Sequence, residues 1–158
     1  MPVPTGLVRP AVLGGVDGLV TSFVIVAAGV AGSVEKRIVL LIGVASLVAD
    51  AVSMAASEIL SVRAEGGILT TALTQGSVCA ASFLLLGTLP LVALALSTTV
   101  AVTATSSIAV FAFALCGIGL ARARLTGERW SACVAEVLAI GCAAGLVGYA
   151  VAAIQSRL

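Results

Sequence analysis

Acidic and sulfur-containing side chains recur along one otherwise apolar segment. This segment, residues 38–62, contains LVADAVSMAASE, in which Asp50, Met54 and Glu58 follow one another at four-residue spacing. Four residues turn a helix by only about 40° beyond a full revolution, so these side chains share one stripe. Ser46 lies one turn before Asp50 and extends the stripe. Such a stripe must face protein or water, and its oxygen and sulfur atoms could bind a cation.

Asp17 is a further acidic residue within an apolar segment, and it lies between Gly15 and Gly18. A charged side chain inside a membrane helix costs about 2.5 to 3.5 kcal/mol on insertion scales, so it marks a functional site by default. The eight basic residues are all expected in loops or at the termini, which leaves Asp17 and Asp50 without a basic partner. These two carboxylates are therefore predicted to bind an ion or a proton.

Glu58, Glu136 and Met54 each have two interpretations. Either glutamate could line an ion path or extend toward the lipid headgroups, because both lie near the ends of their segments. Met54 could be a thioether ligand or a packing residue. A carboxylate with a thioether suits Fe²⁺ or Mn²⁺ better than Mg²⁺ or Ca²⁺, which prefer all-oxygen shells. The chain has no histidine and no C-x-x-C spacing, and no permanently bound cofactor is expected.

The composition identifies the elements that must position these residues. Hydrophobic residues make up 61% of the chain and charged residues only 9%, which predicts an integral membrane protein. Five apolar runs are each long enough to cross about 30 Å of hydrocarbon as a helix. They cover residues 12–32, 38–62, 68–96, 99–121 and 130–154, and predict one transmembrane domain over residues 1–158. Pro90 is expected either to kink the third helix or to end it early.

Small residues and charges indicate the surroundings of the predicted bundle. Gly14 with Gly18, and Gly141 with Gly145, have the four-residue spacing that lets helices approach closely, either within the bundle or between protomers. A net charge of +1 without a basic block gives no reason to expect nucleic acid, so the lipid bilayer is the expected surrounding. A cytoplasmic N terminus is weakly favoured, because it places more basic residues inside than outside. The inside set is Arg9, Arg63, Arg122, Arg124 and Arg129, and the outside set is Lys36, Arg37 and Arg157.

Three stretches of the chain resemble the vacuolar iron transporter family, including its small nodulin-like members. They are GGVDGLVTSFVIVAAGVAG, LVADAVSMAASEILSVRAE and ARARLTGERWSACVAEVLAIGCAAGLVGYAV, in matching order. The resemblance implies a five-helix homodimer that is not an enzyme and exports Fe²⁺ or Mn²⁺ from the cytosol in exchange for protons. It implies an ion path between protomers, with Asp17 and Met54 contacting the ion and Glu58 and Glu136 nearer the cytoplasm.

Two features depart from the pattern of that family. Many members have a carboxylate where this chain has Ser46, and Asp50 is expected to take over its task. Many members also insert a cytoplasmic metal-binding domain after the second helix, whereas here only RAEGG separates Val62 from Ile68. The compact chain indicates a bacterial plasma membrane, or a vacuolar membrane if the source is eukaryotic.

Two other functions remain open alternatives. A small multidrug or cation antiporter would also use an intramembrane acid, but aromatic residues, on which organic-cation sites rely, make up only 4% of the chain. A non-transporting scaffold or assembly protein would use its acids for packing alone.

Overall fold

A computed structural model describes residues 5–155, and within them the fold is an all-helical bundle. The helices are α1 (Thr5–Ala31), α2 (Lys36–Ala64), α3 (Leu69–Leu96), α4 (Val100–Thr126) and α5 (Trp130–Gln155). All five are long and apolar enough to cross a membrane, and the large apolar side chains on their outer faces are exposed. The chain is therefore an integral membrane protein, as its composition predicted.

Two helices, α1 and α4, extend by five or more residues beyond the apolar runs that predicted them. α1 begins at Thr5 rather than near residue 12, because a proline near a helix start removes only one backbone hydrogen bond and Pro10 is accommodated. α4 continues past residue 121 to Thr126. It ends at Gly127, which has a φ of 75° and donates its N–H to the Ala123 carbonyl at 2.9 Å.

Pro90 does not end α3 early. The helix continues through this proline to Leu96, and Pro90 itself is buried in the bundle. Packing of α3 against its neighbours therefore outweighs the backbone hydrogen bond that proline cannot make.

α1 is the central helix of the bundle and contacts all four other helices. One core cluster joins α1 to α2 and α3, and another joins it to α4 and α5. The first contains Val26, Val39, Leu47, Ala51, Phe83, Leu91 and Leu94, and the second contains Leu19, Phe111, Ala114, Leu115, Ile118 and Val137. α1 therefore separates two packed halves, and any residue on it is positioned by both.

The predicted glycine pairs both lie at contacts within the bundle. A methyl group on Gly14 would overlap the Cys79 carbonyl oxygen, and one on Gly18 would overlap the Phe83 carbonyl oxygen. α1 and α3 therefore approach each other with no room for a side chain at either position. Gly141 packs against Leu115, and Gly145 packs against the Phe23 ring.

We expect Gly18→Ala to destabilise the protein, because the added methyl group must push α1 away from the α3 backbone. Overpacking of this kind costs about 1 to 3 kcal/mol. The measurement is the thermal unfolding midpoint of purified protein in detergent. Gly117→Ala is the matched control, since no atom lies within 4 Å of a methyl group at that position. Equal losses in the two variants would contradict the close α1–α3 contact.

Candidate functional site

Asp17 of α1 and Asp50 of α2 are close enough to interact electrostatically. Asp17 is exposed on the surface of the single chain, and Asp50 is half-buried. Within residues 5–155, no ion pair joins either carboxylate to a lysine or arginine. The structure thus brings together two like charges from different helices, and a cation between them would relieve their repulsion.

The α2 stripe runs along the edge of the helix face that packs against α1 and α3. Ser46, Asp50 and Met54 are all half-buried, at the border between the buried and the exposed sides of α2. Met54 also packs against the core cluster shared with α1 and α3. Its thioether is therefore placed where it can both fill the core and lie one helical turn from the Asp50 carboxylate.

Glu58 lies at the end of the bundle where α1 begins, which we term the Arg9 end. Its side chain is only 4% exposed and accepts a hydrogen bond from Arg9 Nη1 to Oε1 at 3.3 Å. It therefore points into the protein and does not extend toward headgroups. The expectation that all basic residues lie in loops or termini was wrong, because α1 begins early enough to include Arg9.

Cys79 of α3 lies in the same region. It is fully buried and interacts electrostatically with both Glu58 and Asp17. The region between α1, α2 and α3 therefore holds a thiol together with carboxylates from two other helices. The spacing of the cysteines in the sequence did not indicate this proximity, because Cys79, Glu58 and Asp17 lie on three different helices.

Glu136 belongs to a separate ionic network between α4 and α5. Arg122 donates from Nη1 to Glu136 Oε2 at 2.8 Å and from Nη2 to Glu128 Oε2 at 3.1 Å. The Cys133 thiol donates to the same Glu128 oxygen at 3.1 Å. The Cys133 hydrogen bond and the charge of Arg122 hold the pKa of Glu128 below its ordinary value.

This network is not joined to the α2 stripe in the single chain. α5 contacts α1 and α4 but not α2 within the described residues. Arg122 also lies within α4 rather than in a loop, so it is a further exception to the expected positions of the basic residues. Glu136 is 57% exposed and paired, so it differs from Asp17 and Asp50 in its surroundings.

The described part of the chain contains no group of three or more cysteine, aspartate and glutamate residues arranged to hold a metal ion. The carboxylates instead occur two at a time: Asp17 and Asp50 are within electrostatic range of each other, and Arg122 joins Glu128 to Glu136. A pair of carboxylates in a membrane segment can bind a cation weakly or exchange protons. Tight, permanent metal binding would need further ligands.

Five membrane-spanning helices with an acidic pair between the first two define a helical membrane protein with a polar site inside its span. Comparison with known proteins gives the family. The sequence profile of the VIT family matches residues 8–73 and 66–153, so the chain belongs to the VIT family.

One curated relative is a protein named vacuolar iron transporter from Toxoplasma gondii (strain ATCC 50861 / VEG). It is 45% identical to this chain over 58 residues, which are 37% of this chain. The chain spans only about a fifth of the length of that relative, since the match covers 19% of it.

Proposed function

We propose that the protein transports a divalent transition metal, Fe²⁺ or Mn²⁺, across the membrane in exchange for protons. The observation that carries this proposal is the pair of carboxylates, Asp17 and Asp50, within membrane helices and without an ion pair among the described residues. Such groups are costly in a bilayer, and a function that uses their charge accounts for their presence. Membership of the VIT family and the name of the Toxoplasma relative support a metal as the cargo.

A homodimer is part of the proposal. Asp17 is exposed in the single chain, and the described residues contain no complete metal shell. In a symmetric dimer, the same surface of each protomer faces its copy, so a second Asp17 and a second stripe would complete the path. Carboxylates gathered in this way repel one another, which favours proton uptake after the metal leaves.

Export from the cytosol is the proposed direction, with the N terminus and the Arg9 end on the cytoplasmic side. The excess of basic residues at this end supports that orientation. Glu58 and Glu136 would then lie near the entrance, and Asp17 and Asp50 would lie deeper in the membrane. We propose no enzymatic reaction. Transport of a weakly bound metal ion needs only a path through the membrane and protons that move in the opposite direction.

The proposal is tested with the purified protein in liposomes, by comparing Mn²⁺ and Fe²⁺ uptake with that of empty vesicles. We expect uptake to increase when a pH gradient drives protons the opposite way. Uptake that does not change between about pH 5.5 and 8 would contradict proton coupling. Uptake of an organic cation such as ethidium instead would favour the multidrug alternative, and no uptake at all would favour the scaffold.

We expect Asp50→Ala to abolish metal uptake, because the ion loses a charged oxygen in a passage with few other ligands. Adding Ser46→Glu should restore part of it. Position 46 lies on the same stripe, about 6 Å along the helix and about 40° around it from Asp50. The measurement is the initial rate of Mn²⁺ uptake at matched amounts of protein.

The control for this rescue is Ala49→Glu in the Asp50→Ala background. Ala49 points about 100° away from Asp50 and is exposed in the structure, so a carboxylate there should not restore uptake. Equal rescue from positions 46 and 49 would show that only net charge matters. Normal uptake by Asp50→Ala would exclude the proposed role of Asp50.

The Met54→Leu variant tests whether the Met54 thioether binds the ion or only packs against its neighbours. Leucine has a similar volume and keeps the contact with the core cluster, so folding should change little. If the sulfur contacts the ion, we expect a severalfold loss of Mn²⁺ or Fe²⁺ uptake with an unchanged unfolding midpoint. Normal uptake at matched expression would identify Met54 as a packing residue only.

A further inference from the structure

The Arg9–Glu58 ion pair is asymmetric in its exposure. The Glu58 side chain is 4% exposed, whereas the Arg9 side chain is 65% exposed. The carboxylate is therefore fixed inside the bundle between helices, while its partner approaches from the surface at the Arg9 end. Only one contact holds them, from Arg9 Nη1 to Glu58 Oε1 at 3.3 Å.

This arrangement makes Arg9 the replaceable member of the pair. A buried carboxylate is unfavourable without a cation or a proton, so Glu58 must hold one or the other when Arg9 moves away. The arginine side chain is long, and its exposed head can move into the headgroup region while its stem stays against the helix. If another cation took its place at Glu58, the Arg9 guanidinium would therefore be solvated and would not be buried without a partner.

We propose that Arg9 is a tethered cation that occupies Glu58 until an entering divalent metal ion displaces it. This inference rests on the proposed transport function and gives Arg9 a role in cation selection at the same site. A monovalent ion has the same charge as the guanidinium but no tether, so it competes poorly. A divalent ion interacts about twice as strongly with the carboxylate at the same distance, and it can displace Arg9.

The surrounding charges fit an entry site at this position. Arg9 and Asp17 are eight residues apart on α1, which places them about 12 Å apart along the helix axis. Cys79 interacts electrostatically with both Glu58 and Asp17, so these two carboxylates border one region of the bundle. Asp17 and Asp50, which are within electrostatic range of each other, are therefore the charged residues deeper in the bundle that an ion leaving Glu58 could reach.

The first test measures the dependence of Mn²⁺ uptake on Mn²⁺ concentration in liposomes. Arg9→Gln removes the competing charge, so we expect the KM for Mn²⁺ to fall about two- to fivefold, the upper part of the range for losing a partly exposed ion pair. Arg9→Lys retains a tethered cation and should have a KM close to that of the unmodified protein. Arg63→Gln is the matched control, because Arg63 lies at the same end and its Nη1 donates to the Gly67 carbonyl.

A purely structural ion pair gives a different result. Arg9→Gln would then reduce the amount of folded protein while the KM of the folded fraction stayed unchanged or rose, and either KM result would overturn the inference. If the unmodified protein gives no Mn²⁺ uptake, the proposed transport function fails.

A second measurement needs neither a variant nor transport. Phenylglyoxal modifies accessible arginines, and the labelled residues can be identified by mass spectrometry of the unmodified protein in detergent. We expect Mn²⁺ to increase labelling of Arg9 severalfold and to leave labelling of Arg63 unchanged. Labelling of Arg9 that stays constant or falls with Mn²⁺ would show that the metal does not displace it, even if transport occurs.

Discussion

The close contact between the α1 and α3 backbones is the constraint on which the remaining geometry depends. In a bilayer, apolar side chains gain little by leaving lipid for protein, so helices associate where small residues let their backbones pack closely. Gly14 and Gly18 of α1 provide that contact. A methyl group on Gly87 of α3 would lie 2.9 Å from the Gly18 carbonyl oxygen and would also overlap the Leu47 side chain of α2. Three helices thus meet beside Asp17, and its position follows from backbone packing rather than from any interaction of its own carboxylate.

The carboxylates within the helices fall into two groups, which differ in whether a basic side chain balances their negative charge. Glu58 and Glu136, both toward the Arg9 end, are neutralised by arginines on neighbouring helices. Asp17 and Asp50 lie farther from that end and interact with each other, with no ion pair to a basic side chain in the described range. Arginines of the same chain balance the negative charges of the first group. The second leaves negative charge unbalanced, and for this reason the proposed transport function is centred on Asp17 and Asp50.

Sequence reasoning predicted the number and type of the helices because membrane spans are defined by length and apolarity, which a single chain displays directly. It did not predict that α1 begins before its apolar run or that α4 continues past its own. Arg9, Pro10 and Arg122 are residue types that are common in loops, so their types alone did not indicate helix. The Arg9–Glu58 pair joins residues 49 positions apart, and the electrostatic influence of Glu58 and Asp17 on Cys79 also crosses between helices, so both depend on packing that no local pattern encodes. The glycine spacing predicted close approach, but the same spacing suits an internal or an oligomeric contact. One clue was available for α4: glycine is the residue that most often ends a helix in the left-handed conformation, and Gly127 directly follows Thr126.

The arrangement of helices also gives Asp17 and Asp50 unequal freedom. α1 contacts all four other helices, whereas α2 contacts only α1 and α3 within the described residues. A displacement of α1 would disturb both core clusters, but a displacement of α2 would disturb only the one it shares with α1 and α3. Sliding or tilting α2 is therefore the less costly way to change the separation between Asp50 and Asp17. Because the same helix carries Glu58, that movement would also strain the Arg9 contact, which is a single hydrogen bond at 3.3 Å. Any movement of α2 would therefore change the Arg9–Glu58 contact and the Asp17–Asp50 separation together.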